Sequence, residues 1–307
     1  MARTSLRPPS LQWQVFRGSD AVQRDLVSLN QLRTSAWVRV RHDVYADSRI
    51  RLDHTLACRA TALRLPVAAV FAGPSAAYLH GVEHAAGYND EVHVIVRPDL
   101  RLRSQHGLRA HAGEIDADEV EARDGLRRTK PARTAWDVAC WAELTLAVSI
   151  VDRLLRRGQV EMADLVEVTE RHGTNLSRSR AQRVFGLADP SARAASESQL
   201  RIRLIMAGLP RPVARHPVEL VTGRVVHPEV AWPEFQVAVE FDSRGLVGGH
   251  TRCLDDIDPE LEQRYSRGHL AAAGWTVLPV TAHQMRRDFT DFVTSVRRAL
   301  LERGWQP

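Results

Sequence analysis

Apolar and polar positions change period several times along the 307-residue chain, and those changes mark its elements. Ser19 and Asp20 can cap a short helical pattern running through Leu26, and residues 29–36 carry a second one. Residues 37–45 (WVRVRHDVY) then alternate apolar with polar side chains, as a strand or β-ribbon does. Helix, turn, helix and ribbon in that order predict a winged helix over residues 1–50. In it Gln31, Arg33 and Thr34 would face a nucleic-acid groove, while Arg39, Arg41 and His42 would lie along the wing against phosphates. The same residues also fit a small capping subdomain whose arginines are merely solvated.

Residues 51–172 predict a mixed α/β domain, with helices over 53–65 and 73–81, strands over 91–97 and 108–111, and helices over 134–157 and 160–171. Asp137, Glu143 and Asp152 are expected on polar helix faces. Residues 173–195 are rich in Ser, Arg, Gly and Ala and predict a basic linker. Beyond it, residues 196–208 form a helical pattern that ends at Gly208. Strands follow over 212–221, 225–232 and 236–242, then a glycine-rich loop, a helix containing Arg264 and Arg267, a strand over 275–281 and a helix over 288–303. Along the third of these strands (QVAVEFD), Val237, Val239 and Phe241 share one face, and Ala238, Glu240 and Asp242 the other. Two carboxylates on one face of so apolar a strand call for a cation or for arginine partners such as Arg201 or Arg264. Glu229, in phase with Ala231, sits where it would complete the set.

Composition sharpens part of this picture. Hydrophobic residues at 44% and charged residues at 26% are ordinary for a globular chain, and its length favours two or three compact units. A formal charge of +5 suits a polyanionic partner, and Lys130 is the only lysine, so the basic surface is arginine. Cys58, Cys140 and Cys253 match neither a disulfide framework nor a metal-binding spacing. His80 and His84 have helical metal spacing, but Gly81 lies between them and no third ligand is evident. The longest apolar run, residues 65–72, is far short of the roughly 20 residues that span a bilayer, so a cytoplasmic location without membrane contact is expected.

The helix beginning ESQLR, the carboxylate two residues before Ala-Trp-Pro, VAVEFD, a loop histidine and LAAAGWTVLPVT stand in an order that resembles the PD-(D/E)XK nuclease superfamily, nearest its very-short-patch-repair-like branch. FRGSDAV, WVRVRHDVYAD, GPSAAYLHGV and RTKPARTAWDVA are similar to the antitoxins of AbiEi-type abortive-infection systems. The resemblances imply an α/β chain, α+β overall, with a winged helix, a mixed middle domain and a restriction-endonuclease-like fold over 196–307. They also imply Mg²⁺ (or Mn²⁺) held by Glu229, Glu240 and Asp242, with Glu197 at the metal's outer edge and His250 orienting water or protonating the leaving oxygen. Arg264 and Arg267 would meet the phosphate. Two departures stand out: the superfamily's second-strand aspartate is Glu229 here, and its motif lysine is replaced by Asp242. A metal-dependent DNA endonuclease is one reading, and a non-catalytic, antitoxin-like DNA-binding regulator with a degenerate nuclease fold is the alternative. Either leaves room for a protein partner or a homo-oligomer.

Overall fold

In the computed structural model, which describes residues 7–220, 223–242 and 267–307, the alternation at the N-terminal end builds a small antiparallel sheet. Its strands are β1 (Val15–Arg17), β2 (Trp37–Arg41) and β3 (Val44–Asp47), in the order β1-β3-β2. Helix α1 (Gly18–Gln23) leaves β1 directly. The second predicted helix is instead a single 3-10 turn, Gln31–Arg33. Local bonds explain the shortening. Gln31 Oε1 accepts from the Ser28 amide at 2.6 Å, Ser28 Oγ accepts from the Gln31 amide at 3.3 Å, and the Thr34 hydroxyl donates to the Gln31 carbonyl at 2.7 Å. Such side-chain bonds compete with the backbone ladder that would extend a helix. Leu11, Phe16, Leu32 and Trp37 form the core beneath, with the Phe16 ring edge-on to Trp37 at 5.1 Å.

Helix α2 (His54–Ala62) is capped by Asp53, whose carboxylate accepts from the Leu56 amide at 2.9 Å. Its Leu56 and Ala60 pack on Val40, Val44 and Ala46 of the ribbon, so one core crosses residue 50. A five-stranded sheet follows, of β4 (Val70–Phe71), β5 (Val92–Val96), β6 (Leu108–Ala112), β7 (Val120–Arg123) and β8 (Leu126–Thr129), ordered β6-β5-β4-β8-β7. Helix α3 (Gly73–Leu79) starts from Gly73 at φ 53°, where an added Cβ would lie 2.7 Å from the Trp141 ring. That indole stacks on His111 from the other strand edge, with centroids 3.6 Å apart.

The long helix expected over 134–157 is two helices, α4 (Pro131–Trp141) and α5 (Leu144–Arg156). Glu143 makes the break by accepting from the Thr145 amide at 2.9 Å, a cap rather than a mid-helix role. Helix α6 (Met162–His172) matches expectation, whereas α7 (Asn175–Leu187) occupies most of the segment expected to be a linker. Its buried Ala181, Val184 and Phe185 have the i, i+3, i+4 spacing of an apolar helix stripe, narrow enough to be masked by the arginines around it. Asp137 and Asp152 are buried instead of lying on polar faces. Arg133 bonds Asp137 at 2.9 Å and Glu119 at 2.7 Å, which is what makes the first burial tolerable.

Contacts divide the chain into one unit of Met1–Ile150 and Arg157–Phe185 and another of Val151–Arg156 and Gly186–Pro307. The second contains α8 (Ala195–Met206), β9 (Val213–Ala214), β10 (Val218–Glu219), β11 (Val225–Val226), β12 (Val230–Trp232) and β13 (Val237–Phe241). Helical residues 267–272 (α9), β14 (Thr276–Val280), α10 (Ala282–Arg286) and α11 (Phe289–Glu302) complete it. Its main sheet runs β14-β13-β12-β9, with β13 and β14 parallel and the other neighbours antiparallel. Val237 and Val239 join Leu200, Leu204, Trp232, Phe292 and Val296 in the core, the face expected from alternation. No helix among the described residues is long and apolar enough to cross a membrane.

Arg201, named from sequence as a partner for Glu240 and Asp242, is fully buried in this unit and pairs with Asp152 instead. Its guanidinium donates to Asp152 Oδ2 at 2.9 Å and to the Leu187 carbonyl at 2.5 Å, and Asp152 Oδ1 accepts from the Asp189 amide at 2.6 Å. Burial pushes the Asp152 carboxyl upward, and the Arg201 charge draws it back. Arg201→Met leaves Asp152 buried without its cation and is expected to cost about 3–5 kcal/mol. Urea unfolding followed by tryptophan fluorescence tests this, and Arg201→Met combined with Asp152→Leu should recover a large part of the loss.

Candidate nucleic-acid interface and acidic cluster

At the ribbon, the end of β1, the β2–β3 turn and the residues just past α2 converge on a cavity of about 500 Å³, lined by Arg17, Arg39, His42, Asp43, Tyr45 and Arg64. Three guanidinium groups therefore face one carboxylate. That carboxylate is committed locally: Asp43 accepts from the Ser19 hydroxyl at 2.7 Å and the Ser19 amide at 2.9 Å, and Arg17 lies 3.6 Å away. The Ser19 hydroxyl holds the Asp43 pKa below the usual carboxylate value, against the opposing effect of burial. Arg39, His42 and Arg64 have no carboxylate partner among the described residues, so the cavity presents uncompensated cationic charge.

The expected interface residues separate in the structure. Arg39 points into the cavity, but a register shift between Arg39 and Arg41 turns Arg41 away, and its Nη2 donates to the Gly107 carbonyl at 3.4 Å. Gln31, Arg33 and Thr34 are exposed, yet Gln31 and Thr34 spend their side-chain groups on their own turn. Arg17 and Arg64 were not singled out by sequence. Each lies at the end of an element, outside any periodic stripe, and only the fold brings them to Arg39.

The second unit assembles the acidic residues. Val230 pairs with Val239 across antiparallel strands, which carries the register on to Glu229 opposite Glu240. Glu229 Oε2 accepts from the Phe241 amide at 3.3 Å. Glu240 and Asp242 are both buried, and Arg267 reaches them, at 3.8 Å from Glu240 and 3.6 Å from Asp242. Glu197, in the first turn of α8, accepts from the Arg193 amide at 2.9 Å and lies 3.7 Å from Arg215. Burial raises the Glu197 carboxyl, and the Arg193 amide and Arg215 oppose it. Burial first, then the Glu240 charge, pushes Glu229 up to about 7.

This arrangement does not fit the Mg²⁺ or Mn²⁺ site expected from the resemblance. Magnesium requires near-octahedral oxygen ligands. Among the described residues, no three His, Cys, Asp or Glu side chains are grouped to hold a metal ion, and a guanidinium lies against Glu240 and Asp242. Arg267, expected to meet a phosphate, is directed at those carboxylates. His250 and Arg264 lie outside the described residues. His80, the other metal candidate, has its Nε2 bonded to the Thr129 carbonyl at 2.8 Å.

A mixed α/β chain with a basic ribbon in its first unit and an acidic cluster beside Arg267 in its second is the class that fold and sites define. Residues 67–187 match the model of the AbiEi antitoxin C-terminal domain. Over 262 residues the chain is 27% identical to uncharacterised proteins of Mycobacterium tuberculosis strains CDC 1551 and H37Rv, covering 84% of this chain and 90% of each relative. No solved structure matches it significantly.

The raised Glu229 carboxyl has a measurable consequence. Its folded value, about 7 against an ordinary 4.5, means that the native state prefers the protonated form. Its stabilising contribution is complete below the unfolded value and is lost as pH rises through the folded one. Glu229→Gln mimics the protonated group, so its melting temperature should match wild type near pH 4.5 and exceed it above pH 7, by of order 1–3 kcal/mol in stability. A pH-independent difference would refute the assignment.

Proposed function

We propose that this protein is a non-catalytic DNA-binding regulator of the antitoxin type. The observation that carries the reading is the ribbon cavity, where Arg17, Arg39 and Arg64 gather around one committed carboxylate, in a chain whose residues 67–187 match an antitoxin domain. Phosphate oxygens are the complement of such a cavity. Guanidinium forks hold them by paired charge-assisted bonds, and arginine stays protonated throughout the physiological range. The three-stranded sheet with α1 and α2 supports a winged-helix-like role for this region, with the ribbon rather than a recognition helix making the principal contact. A 3-10 turn of three residues offers little helix to lay in a major groove.

In this reading the second unit is a restriction-endonuclease-like fold whose acidic cluster has become structural. Its support is the sheet order, with the β13 and β14 strands parallel, and Arg267 beside Glu240 and Asp242. Contacts to phosphate position a protein without reading sequence, so affinity should depend strongly on salt and weakly on base order.

Fluorescence anisotropy with a labelled mixed-sequence DNA duplex tests the proposal. Arg39→Ala and Arg64→Ala should each weaken binding and lower the salt slope by about 1, while Arg41→Ala should change it little. Binding indifferent to both Arg39 and Arg64 would overturn the assignment. Supercoiled plasmid incubated with Mg²⁺ or Mn²⁺ should remain intact with wild type and with Glu240→Gln alike. Nicking by wild type alone would restore the endonuclease reading.

A further inference from the structure

The first unit carries two unsatisfied apolar surfaces of opposite charge. One is a groove of about 430 Å³ between the start of α5 and the face of α7, floored by Ala142, Leu144, Leu176 and Val184. Leu176 is 84% exposed. The groove's rim is cationic: Arg183 is exposed, and Arg180 is fixed at the end of α4, donating to the Ala142 carbonyl at 2.8 Å and the Ala139 carbonyl at 3.2 Å. The other surface is the outer face of α6. There Met162 and Val166 are 50% and 57% exposed, one helical turn apart, beside exposed Glu167 and Glu170. The inner face of the same helix is conventional, with Leu165 and Val168 buried.

We propose that these surfaces meet between two copies of this chain, the α6 ridge of each copy seated in the α5–α7 groove of the other. Both the shapes and the charges are complementary. An apolar ridge enters an apolar groove, and Glu167 and Glu170 face Arg180 and Arg183. Each copy carries one ridge and one groove, and the proposed pair is the twofold one in which both ridges are seated at once, with two equal contacts. Apolar groups packed inside a charged rim are the usual anatomy of a specific interface. The proposal is independent of the nucleic-acid reading, since it uses neither the ribbon cavity nor the acidic cluster.

Size-exclusion chromatography with light scattering on the full chain, without DNA and across about 1–100 μM protein, provides the test. The expected mass at the upper end is twice the 34.4 kDa of one chain. Leu176→Asp and Val166→Asp should each raise the dissociation constant at least about tenfold, with circular dichroism unchanged. Because a new aspartate can also disturb folding, a charge exchange gives a second readout. Arg183→Glu should weaken the dimer, and combining it with Glu167→Arg and Glu170→Arg should restore it. A wild-type protein that stays monomeric at every concentration, or a dimer untouched by Leu176→Asp and Val166→Asp, would overturn the proposal.

Discussion

The buried Arg201–Asp152 pair is the constraint on which the second unit's chemistry depends. A guanidinium withdrawn from water is tolerable only when its charge and its donors are met, and Asp152 with the Leu187 carbonyl does this. Their positions fix the helix that carries Arg201. One turn earlier on it, Glu197 is thereby brought beside Arg193 and Arg215, at the near end of the acidic row. The strand pairing of β12 with β13 supplies the rest, setting Glu229 against Glu240. The ion pair thus bears on where Glu197 stands, and strand register on where Glu229 and Glu240 do.

Both candidate sites turn on how arginine and carboxylate are apportioned. At the acidic row, the cations Arg215 and Arg267 lie against the carboxylates, and burial and the neighbouring Glu240 charge raise the Glu229 carboxyl to about 7. At the ribbon the apportioning is reversed. Asp43 is occupied by Ser19 and Arg17, and Arg39 and Arg64 have no carboxylate partner among the described residues. The same residue types are thus in opposite local balance in the two regions.

Features set by local period were legible in the sequence. Alternation in β13 correctly divided Val237 and Val239 from Glu240 and Asp242, and the ribbon around Arg39 was visible for the same reason. Features set by distant partners were hidden. Asp152 and Arg201 are 49 residues apart, so nothing near either signals that it will be buried. The α7 stripe of Ala181, Val184 and Phe185 was obscured by surrounding arginines and serines. Arg17 and Arg64 became interface candidates only when β1 and α2 brought them to one cavity. The β2 irregularity that turns Arg41 aside is likewise a matter of strand register, which residue order alone does not disclose.

The near absence of lysine has a consequence for control. Lys130, exposed just before α4, is the only lysine side chain in the molecule. Acetylation, which neutralises lysine ammonium groups, therefore has no substrate in the ribbon cavity, and no physiological change of pH discharges the guanidinium groups there. Ionic strength and competing anions can therefore act on these guanidinium groups where lysine acetylation and pH cannot.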